Sequence, residues 1–406
     1  MIQVVRSRAH APRLMSVAAL MAVLASATVA LAETPAGSVI PRPAVVTPTQ
    51  GVFDLGEGTV LIVPHGDAEA LHAATYFADL MQRTRGMNLT VREGETAPGA
   101  VVFRRASEIA ADAYRLDVTP RSAVITAGDF GGRFQALHGE LARHCEQSPD
   151  ATLLALIYLS AQETRMYSAT HSMLVSCVVM VVAREMLLWP PLRVQRLGRA
   201  ALSMNIAMTE LQDQLALQTH ALTAQQIAAI EDHAARSEAL LRQLGVADAD
   251  WLEAVRCHHH RTPGPLAKKT EAQQMARLIQ RADIFGARIA PRAARWPMPV
   301  TAAMQASYYD EEHQVDEAGS ALVKGLGVYP PGAFVRLASQ EVGVVIRRGT
   351  TATTPRVAVV TNREGMPTGE PIPRDTAHPN WKISAPVAQR DVRVRLPLDR
   401  LLEINC

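Results

Sequence analysis

Five polar side chains fall where a folded helix buries apolar ones. His171, His233, the pair His258 and His259, and Asp283 lie on the apolar stripes of four segments with a helical period. In residues 223–245, Ile227, Ile230, Ala234, Leu240, Leu241 and Leu244 define the inward face, and His233 stands three residues beyond Ile230 on that face. His171 precedes Leu174 and Val175 by a turn, the His258-His259 pair follows Val255, and Asp283 follows Ile279. Taken singly, each is a satisfied core polar residue. Together they restrict the fold, because burying an unpartnered polar group costs a few kcal/mol and five of them demand a shared ligand or a dense hydrogen-bond network. Imidazole with carboxylate is a donor set for iron, manganese or zinc rather than calcium.

Around that stripe the spacing predicts helices at 168–188, 192–217, 223–244, 249–260 and 271–289. Thr223 and Gln226 form a capping box, and Gly245 is a stop. Short strands are expected at 334–337, 342–347, 356–360 and 392–396, in a tail punctuated by Pro367, Pro371 and Pro373. With 406 residues, 48% of them hydrophobic, the chain has room for two or three cores. A net charge of +2 and 4% aromatics leave no basic stripe interleaved with stacking rings, which excludes nucleic acid as a partner. Cys145, Cys177, Cys257 and Cys406 lack metal-ligand spacing and read as buried or free thiols.

Residues 150–349 resemble an HD-GYP domain. The resemblance rests on Tyr167-Ser168-Ala169-Thr170-His171-Ser172, Leu222-Thr223 leading to His233, His258-His259, Ala282-Asp283, and Gly327-Val328-Tyr329-Pro330-Pro331-Gly332 before a β-rich tail. It implies a metal-dependent phosphohydrolase bundle of the kind that cleaves cyclic di-guanylate, with His171, His233, His258, His259 and Asp283 as metal ligands. Three positions depart from the family pattern. Met204-Asn205 stand where the family has its His-Asp pair, Tyr167 stands at an acidic ligand position, and Arg261-Thr262-Pro263-Gly264-Pro265 replace the Gly-Tyr-Pro signature. A thioether and a neutral amide cannot replace a carboxylate that bridges two hard cations, so the resemblance implies a degenerate site.

The first 141 residues have a different character. Arg6, Arg8 and Arg13 precede an apolar run from Leu14 to Leu31 that ends Ala30-Leu31-Ala32, the layout of a secretory signal. Between Pro41 and Gly139 the pattern predicts strands at 59–63, 89–92, 101–104, 114–118 and 123–127, with a helix at 67–85. A turn is expected at 119–122 and a helix after Gly128. From Pro41-Arg42-Pro43 through Tyr114-Arg115-Leu116-Asp117-Val118 and Ile125-Thr126-Ala127-Gly128-Asp129, this unit resembles the non-catalytic N-terminal domain of bacterial β-N-acetylhexosaminidases. The acidic run Asp310-Glu311-Glu312 lacks the glycines that precede that family's catalytic Asp-Glu pair and reads as a solvated face in a linker.

The expected architecture is multidomain. A signal peptide (1–32) precedes a small α/β (α+β) N-terminal domain (33–141), an all-α HD-domain helical bundle (142–330) and a small β-rich C-terminal tail (331–406). The first functional reading is a degenerate HD-GYP-like signalling module that binds a cyclic dinucleotide or a protein partner. The alternatives are residual phosphodiesterase activity on a single metal and an exported accessory fragment of a β-N-acetylhexosaminidase. The expected cofactor is one divalent metal (Fe, Mn or Zn), or none if the site is dead. Membrane contact is expected only through the signal segment. That segment predicts export to the periplasm, whereas the HD-GYP resemblance implies the cytoplasm.

Overall fold

The computed structural model describes residues 53–405 except 68–69, 72–73, 76, 79–80, 83–86, 107–113, 128–129, 162–163, 165, 262–263, 393 and 395–397. The expected signal segment, Cys406 and most of the strand expected at 392–396 lie outside the described residues. The chain is mixed α/β and forms two compact units, Met1–Glu140 and Leu141–Cys406.

The first unit is built on a five-stranded sheet of β1 (Val60–Val63), β2 (Thr90–Glu93), β3 (Ala100–Arg105), β4 (Tyr114–Thr119) and β5 (Ser122–Ala127), in the order β2-β1-β3-β5-β4. β1 runs parallel to β2 and β3, and β3 runs parallel to β5. Parallel strands are covered on both faces, which is why β1 is a near-continuous apolar run. Leu61, Val63 and Val101 join Phe53, Ala70 and Ala74 in one cluster, while Ile62, Ala100 and Val102 form another, so alternate residues feed opposite sides. The described helical residues between 70 and 82 fall within the expected helix. β4 and β5 pair antiparallel across Pro120-Arg121, and the Thr119 hydroxyl accepts from the Ser122 N–H at 3.1 Å to hold the turn.

α1 (Phe130–Gln147) is followed, after Ser148, by α2 (Pro149–Ser160). The second unit continues with α3 (Tyr167–Glu185), α4 (Pro191–Ser203), α5 (Thr209–Leu217), α6 (Ala224–Gln243), α7 (Ala249–Cys257), α8 (Glu271–Ile289), α9 (Val300–Tyr308) and α10 (Glu317–Leu326). α3 is long and apolar enough to cross a membrane. However, 89% of its apolar window is buried inside the protein, where it packs against α2, α4, α5, α8 and α10 as the central helix.

Three helices end at least three residues earlier than their periodicity predicts, the one expected at 168–188 stopping at Glu185. The segment at 192–217 is not one helix: after α4 the backbone turns at Met204-Asn205 into a 3₁₀ turn (Ile206–Met208) before α5. Ser203 marks the break, because its hydroxyl donates back to the Arg199 carbonyl at 2.8 Å and accepts the Trp251 indole N–H at 2.9 Å. The segment at 249–260 ends at Cys257, so the His258-His259 pair lies just past the helix rather than on its stripe.

The acidic run at 310–312 keeps Glu311 and Glu312 exposed, as a solvated face does, but Glu311 is also ion-paired. It lies between α9 and α10, where Glu311 accepts from Arg277 and Arg281 of α8, and Asp316 accepts from Arg277 at 2.6 Å. Burial pushes the Glu311 carboxyl up. A backbone N–H and the two guanidiniums outweigh burial and bring it down to about 2.

The C-terminal part is an antiparallel sheet of β6 (Phe334–Leu337), β7 (Val342–Arg347), β8 (Arg356–Thr361), β9 (Pro367–Asp375) and β10 (Ile383–Val387), in the order β10-β6-β7-β8-β9. The expected first three strands are present. The prolines at 367, 371 and 373 read as loop, yet they sit in β9, which is an edge strand where a missing N–H leaves no ladder bond unmade on the open side. A final helix, α11 (Leu398–Asn405), packs on α2, β7 and β9. Gly332 sets the sheet against α2: its φ is +88°, and a Cβ there would stand 2.8 Å from the Ile157 side chain. Arg348 ties the same region together through Asp150 at 2.5 Å, Glu185 at 2.6 Å and the Gly325 carbonyl at 2.8 Å.

Candidate metal centre

α6 starts at the predicted capping box. Thr223 Oγ1 accepts the Gln226 N–H at 3.1 Å, and Gln226 Oε1 accepts the Thr223 N–H at 3.0 Å. Its buried row is His233, Ala234, Ser237 and Leu241, while Ile227 is exposed, so the histidine belongs to the inward face more fully than the isoleucine that predicted that face. Ser237 fixes the neighbouring turn by accepting the Ala207 N–H at 3.2 Å, and Arg236 donates to the Ala207 carbonyl at 2.6 Å.

The end of α7 brings the other two imidazoles to His233. Just past the last turn His258 is fully buried and His259 is exposed, and both Nε2 atoms approach His233 Nε2, at 3.3 Å and 3.2 Å. The candidate donor atoms of the three residues all lie within 4.8 Å of one another. Two rings have fixed tautomers, because a carbonyl can only accept: His233 Nδ1–H donates to Ile230 O at 2.5 Å, and His258 Nδ1–H donates to Val255 O at 2.6 Å. Both therefore present a bare Nε2 lone pair to the cluster. Burial, with the nearby His259, lowers the His258 imidazole to about 3 and also lowers His233, so both are neutral near pH 7.

Asp283 on α8 and His171 on α3 form a second pair. His171 Nε2–H donates to Asp283 Oδ1 at 2.7 Å. Burial raises the Asp283 carboxyl, but the His171 bond and the fields of His171, His259 and His258 hold it well below the usual range. Gly286, one turn beyond Asp283, makes room for the His171 ring: a Cβ there would lie 3.1 Å from His171 Nδ1. Tyr167 stacks on His171, with centroids 5.4 Å apart and planes 10° apart, and its hydroxyl accepts from Arg292 Nη2 at 2.9 Å. Of the five predicted residues, the structure gathers His233, His258 and His259 into one group of candidate ligands, while Asp283 and His171 stand outside that group as a hydrogen-bonded pair, with Asp283 near enough for the charges to act on one another.

The donor set fits a divalent transition metal. Two acceptor nitrogens facing each other at 3.3 Å repel unless a proton or cation lies between them, and backbone carbonyls behind both rings are the usual way of aiming imidazoles at a metal. Met204 and Asn205 are both buried at the end of α4. α4 packs on α7, the following turn packs on α6, and Asn205 Oδ1 has no hydrogen-bond partner among the described residues. Sequence reasoning missed the cationic flank. Arg288, Arg292 and Arg295 follow Asp283 at intervals of three to five residues, close enough that, after burial, the like charges of Arg292 and Arg288 lower Arg295. The spacing after Asp283 was a readable signal, and Trp296 beside these arginines is exposed.

Two comparisons with known proteins bear on this arrangement. Residues 36–139 match the family model described as glycosyl hydrolase family 20, domain 2. Over 272 residues the chain is 26% identical to a cyclic di-GMP phosphodiesterase of Pseudomonas aeruginosa, an alignment that covers 66% of this chain and 63% of that protein. The chain thus matches less than two thirds of that relative's length. These similarities support an HD-GYP-like relation for the chain and a hexosaminidase-like segment in its first unit.

Proposed function

We propose that Leu141–Cys406 is a degenerate HD-GYP-like module that holds one divalent metal and binds a phosphodiester of the cyclic dinucleotide class without hydrolysing it. The convergence of the His233, His258 and His259 Nε2 atoms carries this reading. His233, His258 and His259 would hold the ion, with the ionised Asp283 beside them oriented by His171. Such an ion supplies a Lewis acid for a phosphoryl oxygen. Asn205 offers a neutral amide where a second ion needs a bridging carboxylate, which removes the two-metal clamp for in-line displacement. Arg288, Arg292 and Arg295 supply positive charge for a phosphate, and the exposed Trp296 supplies a face on which a base can stack.

The test is equilibrium binding of fluorescent cyclic di-guanylate to the full chain, with and without divalent metal, alongside chromatography of the nucleotide after prolonged incubation. Metal-dependent binding with unchanged nucleotide is expected. Sustained turnover with added manganese or iron would replace this reading with that of a residual phosphodiesterase.

A second reading rests on the first unit. Its match to domain 2 of family 20 glycosyl hydrolases favours an exported accessory role, for which we propose residues 1–32 as the export signal. A periplasmic reporter fused after residue 32 should be active under that reading, and an inactive reporter would remove it.

A further inference from the structure

We propose that the His233, His258 and His259 cluster is a mononuclear, four-coordinate zinc site that discriminates against manganese and iron. This rests on the reading above that the cluster holds a metal, and it adds the ion and its coordination. The first argument is chemical. Hard oxygen donors draw a site toward manganese or ferrous iron, and this chain has removed them: position 205 is an amide, and the Tyr167 hydroxyl is taken by Arg292 at 2.9 Å. Three imidazoles remain in the group, with the Asp283 carboxylate outside it. For a nitrogen-rich site, affinity rises from Mn²⁺ through Fe²⁺ to Zn²⁺.

The second argument is geometric. Zinc–imidazole bonds of about 2.0–2.1 Å at tetrahedral angles place neighbouring nitrogens about 3.3–3.4 Å apart. Two edges of the cluster already measure 3.3 Å (His233 to His258) and 3.2 Å (His233 to His259). Ile230 O and Val255 O hold the first two rings in the ligating tautomer, so an ion can enter with little rearrangement. His259, exposed and just past the end of α7, is the adjustable ligand, and the fourth position falls to Asp283 or to solvent. Three protein ligands with an open fourth position is the arrangement in which zinc polarises a bound water or a substrate oxygen.

Metal-stripped full chain titrated with Co²⁺, the spectroscopic stand-in for zinc, tests this. We expect one equivalent to bind with the intense visible bands of four-coordinate cobalt, and one equivalent of Zn²⁺ to displace it. Competition should place Zn²⁺ at least about 100-fold tighter than Mn²⁺. His233→Ala should abolish the bands, and circular dichroism of that variant would show whether the fold survives. If the fold is lost, His259→Gln, at an exposed position, replaces it. Weak six-coordinate bands or a preference for manganese or iron would overturn the zinc assignment and leave a metal site standing. No binding of any ion would overturn both this inference and the metal reading beneath it.

Discussion

Gly286→Ala separates the centre's geometry from the stability of its fold. The substitution lies inside α8, where replacing glycine by alanine gains about 0.5–1 kcal/mol of helix stability. Against that, the new Cβ would meet His171 Nδ1 at 3.1 Å and His171 Cε1 at 3.2 Å, with the Leu174 side chain at 3.6 Å. His171 must give by a few tenths of an ångström, and overpacking of this mild kind costs about 1 kcal/mol. The two terms nearly cancel, so the free energy of unfolding should change by less than about 1 kcal/mol. The His171–Asp283 bond has no such compensation: at 2.7 Å it orients the carboxylate, and disturbing an orienting partner typically costs about 10-fold or more in metal affinity. Parallel urea denaturation and metal titration of Gly286→Ala and the parent chain would show a lowered affinity at nearly constant stability. Unchanged affinity would refute the argument that His171 orients Asp283, as would a loss of affinity that only tracks a loss of stability.

Arg348→Ala should destabilise the second unit by about 2 kcal/mol, between the values for exposed and buried pairs because the network is half-buried. Chemical denaturation measures this, and a change under about 1 kcal/mol would contradict the anchoring role. Glu311 sets an acid limit. Its folded-state carboxyl is lowered to about 2 from the usual value near 4.5, so its contribution is complete above pH 4.5 and is lost as the pH falls toward 2. Glu311→Gln should flatten the decline of stability across that window by no more than about 1 kcal/mol, because the group is exposed and its ion pairs are screened by solvent, and an unaltered slope would show that the arginines do not hold it.

Local signals were the legible part of this chain. The Thr223-Gln226 capping box and the 271–289 helix need only neighbouring residues to specify them, and both appear where the sequence places them. The alternation in the first unit and in strands 334–361 was readable for the same reason, since half-buried or fully buried strands announce their faces. What escaped depends on distant partners. The break at Met204-Asn205 is stabilised by Trp251, 48 positions from Ser203, and periodicity alone carries the helix straight through it. Glu311 is exposed as its charge run suggests, but its ion pairs with two arginines of α8 depend on distant residues. The prolines of β9 read as loop because sequence does not reveal which strand becomes an edge. At the centre, the stripe singled out the right neighbourhood but predicted helical positions for His258 and His259, which meet His233 only because the chain leaves the helix after Cys257.

On the proposed reading the cluster holds a single metal because Met204 and Asn205 cannot support a second. Metal content per chain, measured by plasma mass spectrometry after reconstitution and removal of loose ions, tests this most directly. One equivalent is predicted for the parent chain, rising toward two in the Met204→His, Asn205→Asp double variant, where a bridging carboxylate is restored. Two equivalents in the parent chain, or none in either protein, would contradict it.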